Sequence, residues 1–163
     1  MAIALNIIFG STLLITFWQD WKFRAVHWLV FLALALTAIF STQQSGSFDI
    51  SHTTLNVIFV LAVTTGLFLW LSLKEGKFVN LFENYFGFGD FLFLISVTPF
   101  FAPTNFFLFF ISGMLLSAIT HASISRSIAQ PTIPLAGYLA IYLLGLKVIQ
   151  WSCSVNPFQD NIF

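Results

Sequence analysis

Charge is what this sequence has least of. Only 7% of its 163 residues are Asp, Glu, Lys or Arg, where a soluble domain carries about 25%, so ionised groups cannot coat a globular surface. The six basic and six acidic residues cancel, which removes the basic footprint expected of a nucleic-acid-binding protein. Cysteine is nearly absent too. Cys153 stands alone, which excludes an intrachain disulfide framework, and no Cys/His cluster has zinc spacing. The chain has no HExxH pattern and no GxSxG elbow, and Ser11, Ser112 and Ser117 have no convincing base partner. Metalloprotease and serine-hydrolase chemistry therefore lack a carrier, and no metal or other cofactor is expected. What fills the chain is apolar: 58% hydrophobic residues, 22 of them Phe, and a mean hydropathy of +0.93. This is the composition of an integral membrane protein, with residues 1–163 small enough to form one domain.

A membrane-crossing helix needs about 20 apolar residues, with about 17 as the lower bound. Charges and polar clusters divide the chain into six candidates: 2–19, 26–40, 55–73, 89–102, 105–120 and 134–151. The second, fourth and fifth are short and are expected to extend into their flanks, the fourth and fifth as a tight pair turning at Pro103. Strict outward alternation, the mark of a membrane β-barrel, is absent, so the expected fold is an all-α polytopic bundle. The first segment has no basic n-region, and polar Gln19-Asp20-Trp21-Lys22 follows it where a signal-peptide cleavage site would stand. It is read as a permanent helix.

Basic residues set the orientation, because short cytoplasmic loops hold most Lys and Arg. Lys22 and Arg24 lie between the first two segments, Lys74 and Lys77 after the third, and Arg126 between the fifth and sixth. In a six-helix serpentine these loops share one side, whereas the loop 41–54 has no basic residue. Lys147 belongs to the last helix near its outer end. Both termini are then expected outside and the basic loops in the cytoplasm. Trp18, Trp21, Trp28 and Trp70 fall at cytoplasmic helix ends and Trp151 at the outer end, as an aromatic belt would place them.

An ionisable group inside a membrane is costly and is a functional candidate by default. Asp49 and Asp160 fall in outer aqueous segments, and Glu75 and Glu83 in the cytoplasmic loop beside Lys74 and Lys77. Asp20, which closes the first helix, and Asp90, which opens the fourth, are different: the serpentine puts both at one depth near the cytoplasmic face. Thr12, Thr16 and Asp20 recur every four residues and so share one helix face, the natural bundle-facing stripe. Two neighbouring carboxylates cannot both ionise easily. They share a proton, so that one can act as base on a water while its partner protonates a carbonyl. The plainer alternative is that each aspartate snorkels to the interface and pairs with Lys22 or Arg24. Gly87-Phe88-Gly89-Asp90 is a GxGD motif opening an apolar run; glycines there allow unusual φ values and close approach of a second chain, as a substrate strand beside Asp90 would need.

With Asp20-Trp21-Lys22-Phe23-Arg24 at the end of one helix and Gly87-Phe88-Gly89-Asp90 at the start of another, the chain resembles the type IV prepilin peptidases, membrane aspartyl proteases of the GxGD class. The resemblance covers the whole chain in span count and aspartate placement, but residue identity is confined to the two motifs. Val26-His27-Trp28 stands where the family typically has Ile-Pro-Asn, and Leu92 where it usually has lysine. The chain is most similar to compact members consisting of the peptidase core, without the cysteine-rich segment and methyltransferase portion of larger relatives. The resemblance implies an inner-membrane aspartyl endopeptidase in a bacterium, with Asp20 and Asp90 as the catalytic dyad. It implies Gly87 and Gly89 docking the substrate backbone, Lys22 and Arg24 at the membrane face, and a prepilin-like single-helix substrate cut at the cytoplasmic side.

Two other classes compete: a non-catalytic membrane scaffold that keeps the fold, and a proton-coupled transporter, since paired intramembrane carboxylates also relay protons. The transporter is less apt because transporter sites lie near the midplane. His27 and His121, both near the cytoplasmic boundary, are read as solvated or capping residues, and His52 as incidental. Gly113 and Ser117 have small-xxx-small spacing for close helix approach, and Gly137 and Gly145 are packing candidates. Cys153 has no assigned task beyond lipidation or pairing with another chain.

Overall fold

The computed structural model describes residues 2–76, 78, 86–124, 134–153 and 157–159. Lys77, Glu83, Arg126 and Asp160, which entered the charge argument, lie outside the described residues. Among the described residues the fold is all-helical: α1 (Ala2–Phe23), α2 (Trp28–Gln44), α3 (Ile50–Glu75), α4 (Phe88–Val97), α5 (Pro103–Ile124) and α6 (Leu135–Cys153). A single 3₁₀ turn, Thr98–Phe100, continues α4. All six expected segments are helices; the first, third and fifth extend beyond their apolar runs, the second starts two residues later and ends four later, and the fourth, expected to extend into its flanks, instead changes winding at Thr98 and leaves helical geometry at Phe101. Among the described residues three helices are long and apolar enough to cross a membrane: α3, α5 over Pro103–Ser123 and α6 over Leu135–Ser152. Helix α2 and the span Phe88–Phe100 are apolar but shorter.

Local chemistry sets the helix ends. His27 Nδ1 caps α2 through the Leu29 N–H at 3.4 Å, and the His27 N–H donates to Gln19 Oε1 at 2.9 Å, tying the α1–α2 turn to α1. Asp49 caps α3 through the Ser51 N–H at 2.7 Å, satisfying one of the donors that a helix start leaves without partners. Gly76, at φ 65°, ends α3 in the left-handed conformation that glycine enters without strain. Helix α1 ends similarly but without glycine: Arg24 has φ 53°, and its N–H returns to the Asp20 carbonyl at 3.1 Å. Proline opens α5, where its missing N–H costs nothing.

The packing is apolar on both sides. Helix α1 lies between α2 and α6, α4 packs on α2, α3 and α6, and α5 packs on α3 and α6. The core is aromatic-rich: Phe9 stacks on Phe100 with centroids 4.9 Å apart, and Phe101 stacks on Phe109 at 4.8 Å. Outward faces carry Ile7, Leu36, Leu55, Leu69, Leu73 and Ile119, all exposed, and all five tryptophans are exposed as well. On α3 the pattern is inverted relative to a soluble helix: Asn56 is buried while Leu55 and Ile58 on either side are exposed. That inversion separates this chain from water-soluble bundles, whose outward faces are polar. Close approach of α5 and α6 occurs at Gly113, where an added Cβ would collide with Leu139.

Candidate active site

The stripe expected on α1 faces inward. Thr12, Thr16 and Asp20 are all buried, Asp20 at 8% exposure. The two threonines are satisfied locally, Thr16 Oγ1 donating to the Thr12 carbonyl and Thr12 Oγ1 to the Phe9 carbonyl, both at 2.8 Å. The Asp20 carboxylate instead crosses to another helix: Oδ2 accepts the Gly137 N–H at 2.6 Å.

Asp90 reaches the same place from the opposite direction. It is the third residue of α4, and its Oδ1 accepts the Ala136 N–H at 2.7 Å. The two aspartates, 70 positions apart in the sequence, thus hang on consecutive amides of one helical turn. Standard bond lengths keep consecutive amide nitrogens within about 4.3 Å, so the two bound oxygens lie within about 10 Å of each other at the outside.

The first turn of α6 is made for this role. Pro134 precedes it, and the Pro134 carbonyl accepts the Tyr138 N–H at 3.1 Å, but proline offers no side-chain oxygen to cap the free N–H groups at the second and third helical positions. Carboxylates from α1 and α4 serve as caps instead, and the positive end of the α6 dipole favours negative charge there. A second helix start also converges on Asp90. Its carboxylate receives the Gly87 N–H of its own helix, the reach-back of a third-position acid to the cap residue.

Glycine is needed at two of these positions because of close approach. A Cβ on Gly87 would lie 2.7 Å from Asp90 Oδ2, and one on Gly137 would lie 3.1 Å from Asp20 Oδ2 and 3.3 Å from Asp20 Cβ. The expectation of unusual backbone angles at the GxGD glycines is corrected here. Gly87 has φ −65° and ψ 132°, open to any residue, and Gly89 is helical with its open side 3.7 Å from Phe31 Cζ, an ordinary contact. Gly87 itself is exposed and Asp90 is half-buried, so the site meets the surface on the α4 side.

The basic residues of the first motif are arranged differently from each other. Lys22 is exposed and lies over the Trp18 and Phe23 rings, 5.1 and 5.2 Å from their centroids. Arg24 is half-buried one turn beyond Asp20. Of the residues flanking the two motifs, Val26 and Leu92 pack against the core, His27 is the α2 cap, and Trp28 is exposed. His52 sits 3.6 Å from Asp49, away from the dyad. The site residues that sequence reasoning missed are Ala136 and the functional side of Gly137. The available signal was Pro134 two residues before Ala136, a helix start without a capping side chain of its own. Comparison with family models, with curated proteins and with solved structures gives no match to this chain.

Proposed function

We propose that this protein is an intramembrane aspartyl endopeptidase of the prepilin-peptidase kind, built from six membrane-spanning helices in a bacterial inner membrane. Both termini lie outside, and the dyad end faces the cytoplasm. The observation that carries the reading is the pair of hydrogen bonds from consecutive amides, Ala136 and Gly137, to Asp90 and Asp20 at 2.7 and 2.6 Å. A merely snorkelling aspartate has no reason to turn inward onto another helix. Two that do so on adjacent amides hold their bound oxygens within about 10 Å of each other, which supports a water shared between them.

The chemistry divides between the two carboxyls. The ionised aspartate takes a proton from water as its oxygen attacks the scissile carbonyl carbon, while the protonated partner donates its proton to the carbonyl oxygen. Collapse of the tetrahedral diol breaks the C–N bond, and a proton passes to the departing amine. The substrate in this reading is a single-helix membrane protein with a short basic leader; Gly87, exposed at the edge of the site, and Gly89 lie where its backbone would run.

A non-catalytic scaffold is favoured by one observation: Leu92 is packed against the core at the position where the family usually has lysine. The transporter reading loses ground at Thr12 and Thr16, whose hydroxyl protons are committed to carbonyls of their own helix. The test is cleavage of a synthetic single-helix peptide with a basic leader, in liposomes, by wild type, Asp20→Asn and Asp90→Asn. Each substitution is expected to lower the rate about 10²–10⁴-fold, the range of general acid–base contributions. Undiminished cleavage by both variants would sink the dyad.

A further inference from the structure

The segment that carries Asp90 is too short to hold itself in place. Ten α-helical residues and a three-residue 3₁₀ turn extend about 21 Å, against about 30 Å for a bilayer's hydrocarbon core. Beyond Phe100 the chain leaves helical geometry, with Phe101 at φ −119° and ψ 142°, before α5 begins at Pro103. Non-helical backbone at membrane depth is tolerated only where protein covers it. Here the cover comes from two distant parts of the chain. Asn56 on α3, 1% exposed, donates from Nδ2 to the Thr98 and Phe101 carbonyls at 3.0 and 2.8 Å. The segment 157–159, C-terminal to α6, supplies the rest. The Phe158 carbonyl accepts the Ala102 N–H at 2.8 Å, and Gln159 Nε2 donates to the Phe100 carbonyl at 3.1 Å. The Phe158 ring, 1% exposed, wedges against Phe100 and Phe101 at centroid distances of 4.5 and 5.2 Å. Lys147 Nζ lies over the rings of Phe100 and Phe158, at 4.6 and 5.6 Å.

We infer that Asn56 together with Phe158 and Gln159 forms a latch that sets the height of α4 from the end opposite the carboxylates and so holds Asp90 level with Asp20. The pieces at the break are gripped through backbone groups, which do not slide as side-chain contacts do. The rod between latch and Asp90 is buried at Phe93, Leu94, Ser96 and Val97, so a displacement at Thr98 is transmitted along α4. These are positioning residues: they touch neither water nor substrate. The consequence for catalysis rests on the dyad proposed above, but the positioning itself does not, and the test separates them.

The experiment measures proximity rather than turnover. In a full-length Cys153→Ser background, Asp20→Cys and Asp90→Cys are joined with a short bis-maleimide in liposomes, with and without Asn56→Leu or Phe158→Ala. Gly10→Cys with Leu144→Cys serves as a control across α1 and α6, where a Cβ on Gly10 lies 3.8 Å from Leu144. Loss of the Asn56 hydrogen bonds, or of the buried Phe158 ring, corresponds to a population shift of roughly tenfold or more. The initial rate of 20–90 cross-linking is therefore expected to fall by that factor, with the 10–144 rate unchanged and Phe158→Leu largely restoring it. An unchanged 20–90 rate, or equal losses at both pairs, overturns the latch. If the proximity result holds while the wild-type chain cleaves nothing, the latch stands and the peptidase reading falls.

Discussion

Gly87→Ala and Gly89→Ala differ by two residues in one motif, and the geometry assigns them opposite outcomes. At position 87 the new Cβ would stand 2.7 Å from Asp90 Oδ2, closer than such atoms come, so the carboxylate must move. Moving it breaks its hold on the Ala136 or Gly87 N–H. A hydrogen bond to a charged group contributes about 1.5–3 kcal/mol, and an off-rotamer side chain costs roughly 0.5–1.5 kcal/mol. If the full loss, about 2–4.5 kcal/mol, is felt in the transition state at 1.36 kcal/mol per decade, kcat for Gly87→Ala falls by about 30- to 2,000-fold. At position 89 the Cβ meets only Phe31 Cζ at 3.7 Å, and the residue is inside α4, where alanine is favoured over glycine by about 0.8–1.0 kcal/mol. Gly89→Ala should keep kcat within about threefold and raise the melting temperature slightly, since exchanges of this kind are worth about 0.4–1 kcal/mol. The assay is leader cleavage in liposomes beside a thermal melt in detergent. Equal loss of cleavage in both variants would refute the reasoning, because it would mean that substrate docking along both glycines outweighs the placement of Asp90.

Gly137→Ala puts a Cβ 3.1 Å from Asp20 Oδ2 and should lower cleavage by roughly tenfold, the lower end of a charged hydrogen bond's contribution; unchanged cleavage would show that Asp20 does not need the Gly137 amide. Arg24→Gly relieves a left-handed residue at φ 53°, a strain of about 1–2 kcal/mol, so the melting temperature should rise; a fall would show that the guanidinium matters more than the backbone. Asp49 is held below its ordinary carboxylate value, first by the Ser51 N–H. Its contribution to the α3 start is therefore present above that ordinary value and is lost as pH falls through the lowered one, and Asp49→Asn should flatten the acid limb of a stability–pH curve. An unchanged acid limb would remove Asp49 from that role.

The elements were legible because apolar runs and their polar boundaries are local properties. The stripe Thr12, Thr16, Asp20 was legible because helical periodicity alone decides which residues share a face. What hid from the sequence was pairing between distant segments. Nothing near Gly137 marks it as the partner of Asp20, and its role depends on an amide, which every residue but proline carries. Asn56 was passed over for a related reason: its partners, the Thr98 and Phe101 carbonyls, become needy only where α4 gives way to the 3₁₀ turn, a change of winding that an apolar run does not announce. At position 87 the expected unusual angle is absent, since φ −65° is ordinary, and the close neighbour there is the chain's own Asp90 carboxylate.

The placement of the dyad on a helix start also bears on why so few charges suffice. Each helix N-terminus presents roughly half a positive charge through its free N–H groups, and two such ends, those of α4 and α6, converge on Asp90, while α6 alone meets Asp20. Together they amount to about one elementary charge, enough to balance one ionised carboxylate of the proposed pair. A further lysine or arginine beside the pair, added to the Arg24 charge that already acts on Asp20, would favour ionisation of both carboxyls and remove the acid on which the proposed reaction depends. The backbone supplies a fixed counter-charge that does not titrate. On this argument, introducing a cation at Leu92 is not neutral. Leu92→Lys should either leave cleavage intact, if its ammonium reaches outward from its half-buried position, or narrow the active pH range on the acid-requiring side. Measured pH–rate profiles distinguish the two, and a broadened profile would contradict the backbone-compensation account.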